Sequence, residues 1–487
     1  PQSPPPPPQS PPQMNPYAEP QPGQMQPYYG QPYGQPPPQV APKQPAKQSE
    51  DCDIAHPAHC EGEQNPLMQK LNEWQEAGVG GAVLLLATAV SLGLANFGPT
   101  AGKWLNFWSV PKAVSIAGHA LSLKDWVNEG LMAIFFTVVG LEIKHELRHG
   151  SLKSPRKAIL PCIAAIGGMV TPMAIYAGIN LCKAGRLAGG SLAAMAVPMA
   201  TDIAFALAIY SLFSKNMPAS ASAFLLTLAT VDDLGAIAVL ATCYAKHVSA
   251  AFLGVAGALT AALAFVGNWQ ASSKRNADAK IFAVGGVALW WALMKAGVSA
   301  DIAGVVVGLC ISTRAMYNGE AFAHRLVGKL SPLATFLIMP VFALANTAVP
   351  VGQAFGTVAS KAAMPALGIA GGLLIGKPIG IFGFTWLAEK FGVASLPEGM
   401  NNRSLFAVSL LGAIGFTMCL LLTDVSMSAP LAPLPKLSVL VASGIASVGA
   451  ALMMKFGMGT GAPAVKLPAG FTPSNSAEAY LASLSMK

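Results

Sequence analysis

The chain of 487 residues is 53% hydrophobic and only 11% charged, with a mean hydropathy of +0.50. Soluble domains carry about 25% charged residues, so this composition excludes an ordinary soluble domain and indicates a membrane protein. The formal net charge of +8 is carried by short loops between apolar stretches, and no nucleic-acid-binding motif accompanies it.

The first 76 residues are unlike the rest of the chain. Residues 1–48 are rich in Pro, Gln, Tyr and Gly and are predicted to form a disordered tail, a tether rather than a docking motif. Residues 49–76 are predicted to be a polar linker. The linker contains four potential zinc ligands, but their spacing matches no standard finger, so a solvated linker or a local disulfide is the favoured interpretation. These are Cys52, His56, His59 and Cys60.

Twelve apolar segments follow between residues 77 and 456, and a polar tail over 457–487 ends the chain. About 20 apolar residues cross a bilayer as a helix. The seventh and eighth segments are the weakest because Lys295 and Asp301 interrupt them. The pattern predicts an all-α polytopic membrane protein with about twelve transmembrane helices. The segments are centred near residues 88, 135, 170, 201, 233, 260, 288, 306, 341, 375, 414 and 446.

The connections between segments indicate topology. The stretch NFWSVPKAVSIAGHALSL, between the first two segments, has strand-like character and predicts a hairpin outside the bilayer. If the N-terminus lies inside, the inner loops carry more Lys and Arg than the outer loops. That bias predicts that both termini are cytoplasmic.

A few charged residues lie within the apolar segments, where charge is costly and is therefore a functional hypothesis by default. The fourth segment has Asp202, the fifth has Asp232 and Asp233, and the tenth has Lys377. Further charges lie at segment ends: Glu142 ends the second, and Asp301 begins the eighth.

The adjacent pair Asp232 and Asp233 cannot point in one direction, because neighbouring helical residues are rotated by about 100°. One carboxylate can face a water-filled cavity while the other contacts a partner helix. Lys377 is the natural partner for one of the two. A buried carboxylate beside a second acid and a cation is suited to exchange a proton for a metal cation, and hard cations prefer oxygen ligands.

The fourth and eleventh segments are predicted to be broken at mid-depth, by Pro198 in the fourth and by Gly412 and Gly415 in the eleventh. Such breaks are tolerated where they are buried in protein or line a cavity. Broken helices present positive N-termini and negative C-termini. Asp202 is therefore predicted to neutralise N-termini, and Lys377 to neutralise C-termini.

Several long stretches resemble the NhaA family of Na⁺/H⁺ antiporters, in order, from about residue 77 to 456. They are VNEGLMAIFFTVVGLEIKHEL, PCIAAIGGMVTPMAIY, PMATDIAFALAI, LATVDDLGAIAV, IAGVVVGLC, GLLIGKPIGIF and LLGAIGFTM. The resemblance implies two inverted-topology repeats, segments three to five and ten to twelve. It also implies that segments four and eleven are two broken, crossing helices.

The resemblance further implies a function. The chain would be a secondary active Na⁺(Li⁺)/H⁺ antiporter and not an enzyme. Exchange would be electrogenic, by alternating access, and would regulate intracellular pH and sodium from the cell membrane. Na⁺ or Li⁺ would be transported ions, with no other cofactor. The hairpin would support a homodimer.

The resemblance also assigns residues. Asp233 would be the main cation- and proton-binding carboxylate. Asp232 would pair with Lys377 and release it on cation binding, so that Asp232 and Asp233 form the Na⁺ transport site. Thr201 and Asp202 would lie at the helix crossing. Glu142 and Glu146 would lie at the mouth of the ion pathway, and these two mouth acids would contribute to the pH response.

Two stretches depart from the family's usual pattern. Where the family often has RLEHxLHP, residues 325–332 read RLVGKLSP, so a different pH profile is expected. Where the family tends to have SGVHATLAG, this chain has AGVSADIAG, with Ser299 and Asp301 at the changed positions. Asp301 is predicted to pair with a loop cation.

Other interpretations remain open at the level of sequence. A K⁺-tolerant exchanger would differ from a Na⁺-selective one only in the size of its ion site. An intramembrane aspartyl protease needs two carboxylates from different helices and usually a GxGD stretch, which this chain lacks. A transport-dead scaffold or pH sensor has no reason to retain costly buried charges.

Overall fold

The computed structural model of the chain describes residues 70–71, 74, 78–116, 119–148, 150–182, 189–245, 248–272, 278–313, 316–317, 320–355 and 359–457. The predicted N-terminal tail, the four Cys and His residues of the linker, and the C-terminal tail beyond 457 lie outside the described residues. Their assignments remain predictions.

Helices form most of the described part of the chain. They are α1 (Val79–Asn96), α2 (Gly98–Ser109), α3 (Leu123–Arg148), α4 (Pro155–Leu181), α5 (Ile203–Phe213), α6 (Ala219–Cys243), α7 (Ala250–Ser272), α8 (Ala279–Ala296), α9 (Ile302–Cys310), α10 (Phe322–Asn346), α11 (Val351–Ala354), α12 (Lys361–Lys390), α13 (Asn402–Gly412), α14 (Phe416–Ser426) and α15 (Pro433–Phe456).

The helices match the twelve predicted segments. Within the described residues, ten helical spans are long and apolar enough to cross a membrane, and the bent pair α13–α14 makes an eleventh. The twelfth is α9, which has only nine residues and begins directly after Asp301. The weak eighth segment is thus a short helix. The charge of Asp301 and the non-helical residues before it leave too few apolar residues for a full-length span.

Two short hairpins connect helices. Strands β1 (Pro111–Ile116) and β2 (His119–Ser122) pair antiparallel, as predicted from the sequence between the first two segments. The amphipathic helix α2 precedes this hairpin and was not predicted. A second, unpredicted hairpin of β3 (Met316–Tyr317) and β4 (Glu320–Ala321) leads into α10.

Glycines allow α4 and α12 to pack backbone against backbone. A Cβ atom at Gly380 would meet the carbonyl oxygen of Gly167, and one at Gly376 would lie 2.6 Å from Cα of Pro172. Small residues four apart are the usual means by which membrane helices approach closely, because apolar burial supplies little driving force between helices in lipid. This contact fixes Lys377, the residue after Gly376, against the centre of the protein.

A second pair of helices, α3 and α9, packs in the same way. A Cβ at Gly140 would lie 2.6 Å from the carbonyl oxygen of Val305, and one at Gly308 would lie 2.6 Å from that of Thr137. The C-terminus of α9 is held by Lys144, whose Nζ donates to the carbonyls of Leu309 and Ile311, both at 2.6 Å. The short helix α9 is therefore fixed along α3.

We expect Gly380→Ala to lower the melting temperature of the purified protein, whereas Gly383→Ala leaves it unchanged or raises it. The new methyl group at 380 meets backbone, which cannot rotate away, and overpacking of this kind costs about 1–3 kcal/mol. At Gly383 no atom lies within 4 Å of the added methyl group, so only the better helix propensity of Ala remains. Equal melting temperatures for the two variants would contradict the close contact between α4 and α12.

Candidate functional site

Two broken helices meet at the centre of the protein. The fourth segment has a 3₁₀ turn over Val197–Met199, extended backbone at Ala200, and α5 after Asp202. The eleventh segment breaks between α13 and α14, whose axes differ by 41°. The backbone N–H of Asp202 donates to the carbonyl of Ile414 at 2.7 Å, so the breaks touch. The two predicted interruptions are confirmed.

Asp202 caps two helices at once. Its Oδ1 accepts from the backbone N–H of Phe205 at 3.0 Å, in the first turn of α5. Its Oδ2 accepts from the N–H of Thr417 at 3.1 Å and from the Thr417 hydroxyl at 2.6 Å, in the first turn of α14. The side chain is buried. One carboxylate thus satisfies orphan N–H groups and faces the positive end of both half-helices, as the sequence predicted.

Lys377 lies on the opposite side of the crossing. Its Nζ is 2.6 Å from Oδ2 of Asp232, and both side chains are almost fully buried. Nζ also donates to the hydroxyl of Thr201, which in turn donates to the carbonyl of Gly412 at 2.8 Å. The ammonium group therefore reaches the C-terminus of α13 through Thr201 rather than directly.

Asp233 is adjacent to this pair but is not part of it. Its side chain is 3% exposed, and its Oδ1 has no hydrogen-bond partner among the residues that the structure describes. The carboxylate lies within electrostatic range of Asp232, Asp202 and Glu142. Of the two adjacent aspartates, Asp232 is therefore the one paired with Lys377, and Asp233 is not.

The two mouth acids lie on α3, which runs antiparallel to α6. Oε1 of Glu146 accepts a hydrogen bond from the Thr227 hydroxyl at 2.8 Å. Glu142 precedes Glu146 by about one helical turn on α3. The structure therefore brings Glu142 and Glu146 alongside the N-terminal half of α6, the helix that also carries the two adjacent aspartates.

The structure adds site residues that sequence reasoning missed. Besides Thr417, the thiol of Cys419 donates to the carbonyl of Val197, the first residue of the 3₁₀ turn, at 2.9 Å. Ser443 accepts from the N–H of Phe416 at 3.1 Å. The signal for Thr417 was its place at the second position of a helix after a glycine break, where a hydroxyl can meet an acid from the facing helix.

A partly buried ionic cluster was also missed. Asp424, at the end of α14, lies 2.8 Å from Nζ of Lys124 and 2.7 Å from Nζ of Lys436. The Lys436 ammonium also donates to the carbonyl of Asn346 at 3.3 Å. These residues lie at segment ends, where the sequence pattern indicated ordinary loop charges. The cluster joins α3, α10, α14 and α15 at one end of the bundle.

Comparison with known proteins gives a consistent result. The family model described as Na⁺/H⁺ antiporter 1 matches residues 72–454. Curated proteins named Na(+)/H(+) antiporter NhaA from Serratia proteamaculans and Yersinia enterocolitica are 41% and 42% identical over 379 residues. The aligned part is 77% of this chain and 94% and 93% of the two relatives. A relative of the same name from Yersinia pseudotuberculosis is 40% identical over 92% of its length. The chain therefore belongs to the NhaA family of Na⁺/H⁺ antiporters.

Proposed function

We propose that this chain is a multi-pass membrane transporter that exchanges Na⁺ or Li⁺ for protons, with Asp233 as the residue that binds either ion. The single observation that carries this proposal, beside family membership, is the state of Asp233. It is a carboxylate buried at mid-membrane with an unpaired oxygen, and such a group costs several kcal/mol unless a proton or a cation neutralises it. Exchange of one for the other is the transport reaction.

The ion pair beside Asp233, formed by Asp232 and Lys377, supplies the second change of charge. When a cation enters, its positive charge competes with Lys377 for Asp232, so the ammonium group is released from the 2.6 Å contact. Two groups, the carboxyl of Asp233 and the freed ammonium of Lys377, are then able to give up protons for one monovalent cation. This arrangement supports electrogenic exchange with more protons than Na⁺ ions moved.

The crossing supports alternating access. Asp202, Thr201 and Thr417 hold four half-helix ends together through hydrogen bonds. Small displacements of the half-helices can then change which side of Asp233 is open while the ion site persists. Half-helix ends that surround a mid-membrane ion site are typical of secondary transporters.

The mouth acids are proposed to govern the pH response. Glu146 and Thr227 link α3 to the helix that carries Asp233, so a change in the charge of Glu142 or Glu146 alters the position of that helix. The histidines and acid that the family often has before the ninth segment are absent over 325–332. We therefore expect activation at a different pH from that of family members with the full pattern.

The remaining proposals concern assembly and orientation. The excess of Lys and Arg in one set of loops supports cytoplasmic termini and residence in the cell membrane, where the exchanger would regulate internal pH and sodium. The β1–β2 hairpin has only two strands, so its outer edges offer backbone groups to a second copy. A homodimer through this hairpin is proposed on that ground.

The function is tested by proton flux in proteoliposomes with an acidic interior. NaCl, LiCl, KCl and choline chloride are added outside in turn, from mildly acidic to alkaline pH. We expect Na⁺ and Li⁺ to dissipate the pH gradient and choline to have no effect; the K⁺ response defines selectivity. Absence of any Na⁺ or Li⁺ response with folded protein would overturn the proposed function.

A further inference from the structure

Asp301 is a second buried carboxylate that transport through Asp233 does not use. It is 1% exposed, at the start of α9, and neither carboxylate oxygen has a hydrogen-bond partner among the described residues. The loop cation predicted from the sequence is not found there. Asp202, Asp232 and Asp424, by contrast, each contact a donor or a cation. A bare carboxylate in this position is costly unless a proton or a cation neutralises it.

Glu129 of α3 brings a second carboxylate to the same place. Its Oε2 accepts from the backbone N–H of Ala300 at 3.0 Å, so the Glu129 carboxylate lies beside the residue that precedes Asp301. Its backbone carbonyl accepts from the indole N–H of Trp290 at 2.9 Å, which fixes this turn of α3 against α8. Asp301 directly follows Ala300 and Ser299 directly precedes it, so the carboxylate of Glu129 reaches the turn that carries Ser299 and Asp301. Three side chains that carry oxygen atoms thus belong to one small region at the start of α9.

A small apolar cavity separates Asp233 from the group formed by Glu129, Ser299 and Asp301. The cavity is lined by Phe136 of α3, by Ala236 and Ile237 of α6, and by Ile302 and Val305 of α9. Ile302 follows Asp301 directly, and Ala236 lies about one turn beyond Asp233.

Along α3 the order is Glu146, Glu142, Phe136 and then Glu129. Because α3 and α6 are antiparallel, the pair Glu129–Asp301 lies across the cavity from Asp233, on the side away from Glu142 and Glu146.

We propose that Glu129, Asp301 and Ser299 form a second cation site, for Na⁺ or Li⁺, on the far side of the apolar cavity from Asp233. The choice of ion rests on the proposed function. It also follows from the ligands, which are all hard oxygens of the kind that such cations prefer. Two carboxylates and one hydroxyl, completed by water, are fewer charged ligands than a divalent ion usually takes, so the set suits a monovalent ion.

The site is tested in purified full-length Asp233→Asn protein, in which the central carboxylate is removed. Melting temperature is measured in NaCl, LiCl and choline chloride at equal ionic strength. We expect Na⁺ and Li⁺ to raise the melting temperature of Asp233→Asn over its value in choline, because an ion that binds only the folded state stabilises it. The rise should disappear in Asp233→Asn/Asp301→Asn.

The matched control is Asp233→Asn/Asp278→Asn, which changes an exposed aspartate at the start of α8 and should keep the rise. No ion-dependent rise in Asp233→Asn, or a rise that survives Asp301→Asn, would overturn the second site. The melting experiment and the flux assay test different hypotheses. Wild-type protein without Na⁺-driven flux would refute the proposed function, whereas the melting temperatures of the variants decide the second site.

Discussion

Asp233→Asn is expected to abolish Na⁺- and Li⁺-driven proton flux while leaving the protein folded. Asn has the shape of Asp but carries no proton to exchange and no charge to attract a cation. Because Asp233 is buried and its Oδ1 is unpaired, removal of its charge also removes a desolvation cost, so the melting temperature should be equal or higher. Flux in proteoliposomes and a thermal melt of the same preparation measure both effects.

Asp278→Asn is the matched control for flux. Asp278 is an exposed residue whose Oδ1 caps α8 by accepting from the N–H of Lys280 at 2.9 Å, a role that Asn can retain. Its flux should equal that of the wild type. If Asp233→Asn also exchanges Na⁺ for protons at the wild-type rate, the assignment of the transported ions to this carboxylate is wrong.

Lys377→Ala is expected to cause the largest loss of stability among single substitutions at the site. It leaves Asp232 as an uncompensated charge that is 1% exposed, and breaking one partner of a buried ion pair costs about 3–5 kcal/mol. It also removes the donor to Thr201. The melting temperature of the purified protein should therefore fall well below that of the wild type.

A second substitution separates the ion pair from simple loss of packing. In Asp232→Asn/Lys377→Ala the stranded charge is gone, so part of the lost stability should return. Lys390→Ala, at the exposed end of the same helix, serves as the control and should melt near the wild type. A double variant that is no more stable than Lys377→Ala would show that the charge of Asp232 does not depend on Lys377.

The sequence predicted the architecture well because each span is specified locally. Apolar length gives the spans, and proline or glycine at mid-depth gives the breaks in the fourth and eleventh segments. The capping role of Asp202 could also be predicted from the sequence, since a lone acid beside a broken helix has few other favourable positions. The family resemblance added which acid pairs with Lys377, a choice that helical rotation alone leaves open.

What the sequence could not give depends on contacts between distant segments. The hydrogen-bonded series Lys377–Thr201–Gly412 joins three segments and has no local signature in the sequence. The cluster around Asp424 was missed because its residues lie at segment ends, where a charge ordinarily meets water. Asp301 was predicted to pair with a loop cation because its sequence position is at an edge; the structure buries it, since α9 is short and lies along α3.

The double cap made by Asp202 determines which substitutions at the helix crossing are most disruptive. The fourth segment supplies the charge for both crossings, whereas the eleventh supplies only hydroxyl and backbone groups in return. The two broken segments are therefore complementary in chemistry. Loss of the Asp202 charge would leave both half-helix N-termini without it at once, whereas loss of the Thr417 hydroxyl would leave the carboxylate its bonds to the backbone N–H groups of Phe205 and Thr417.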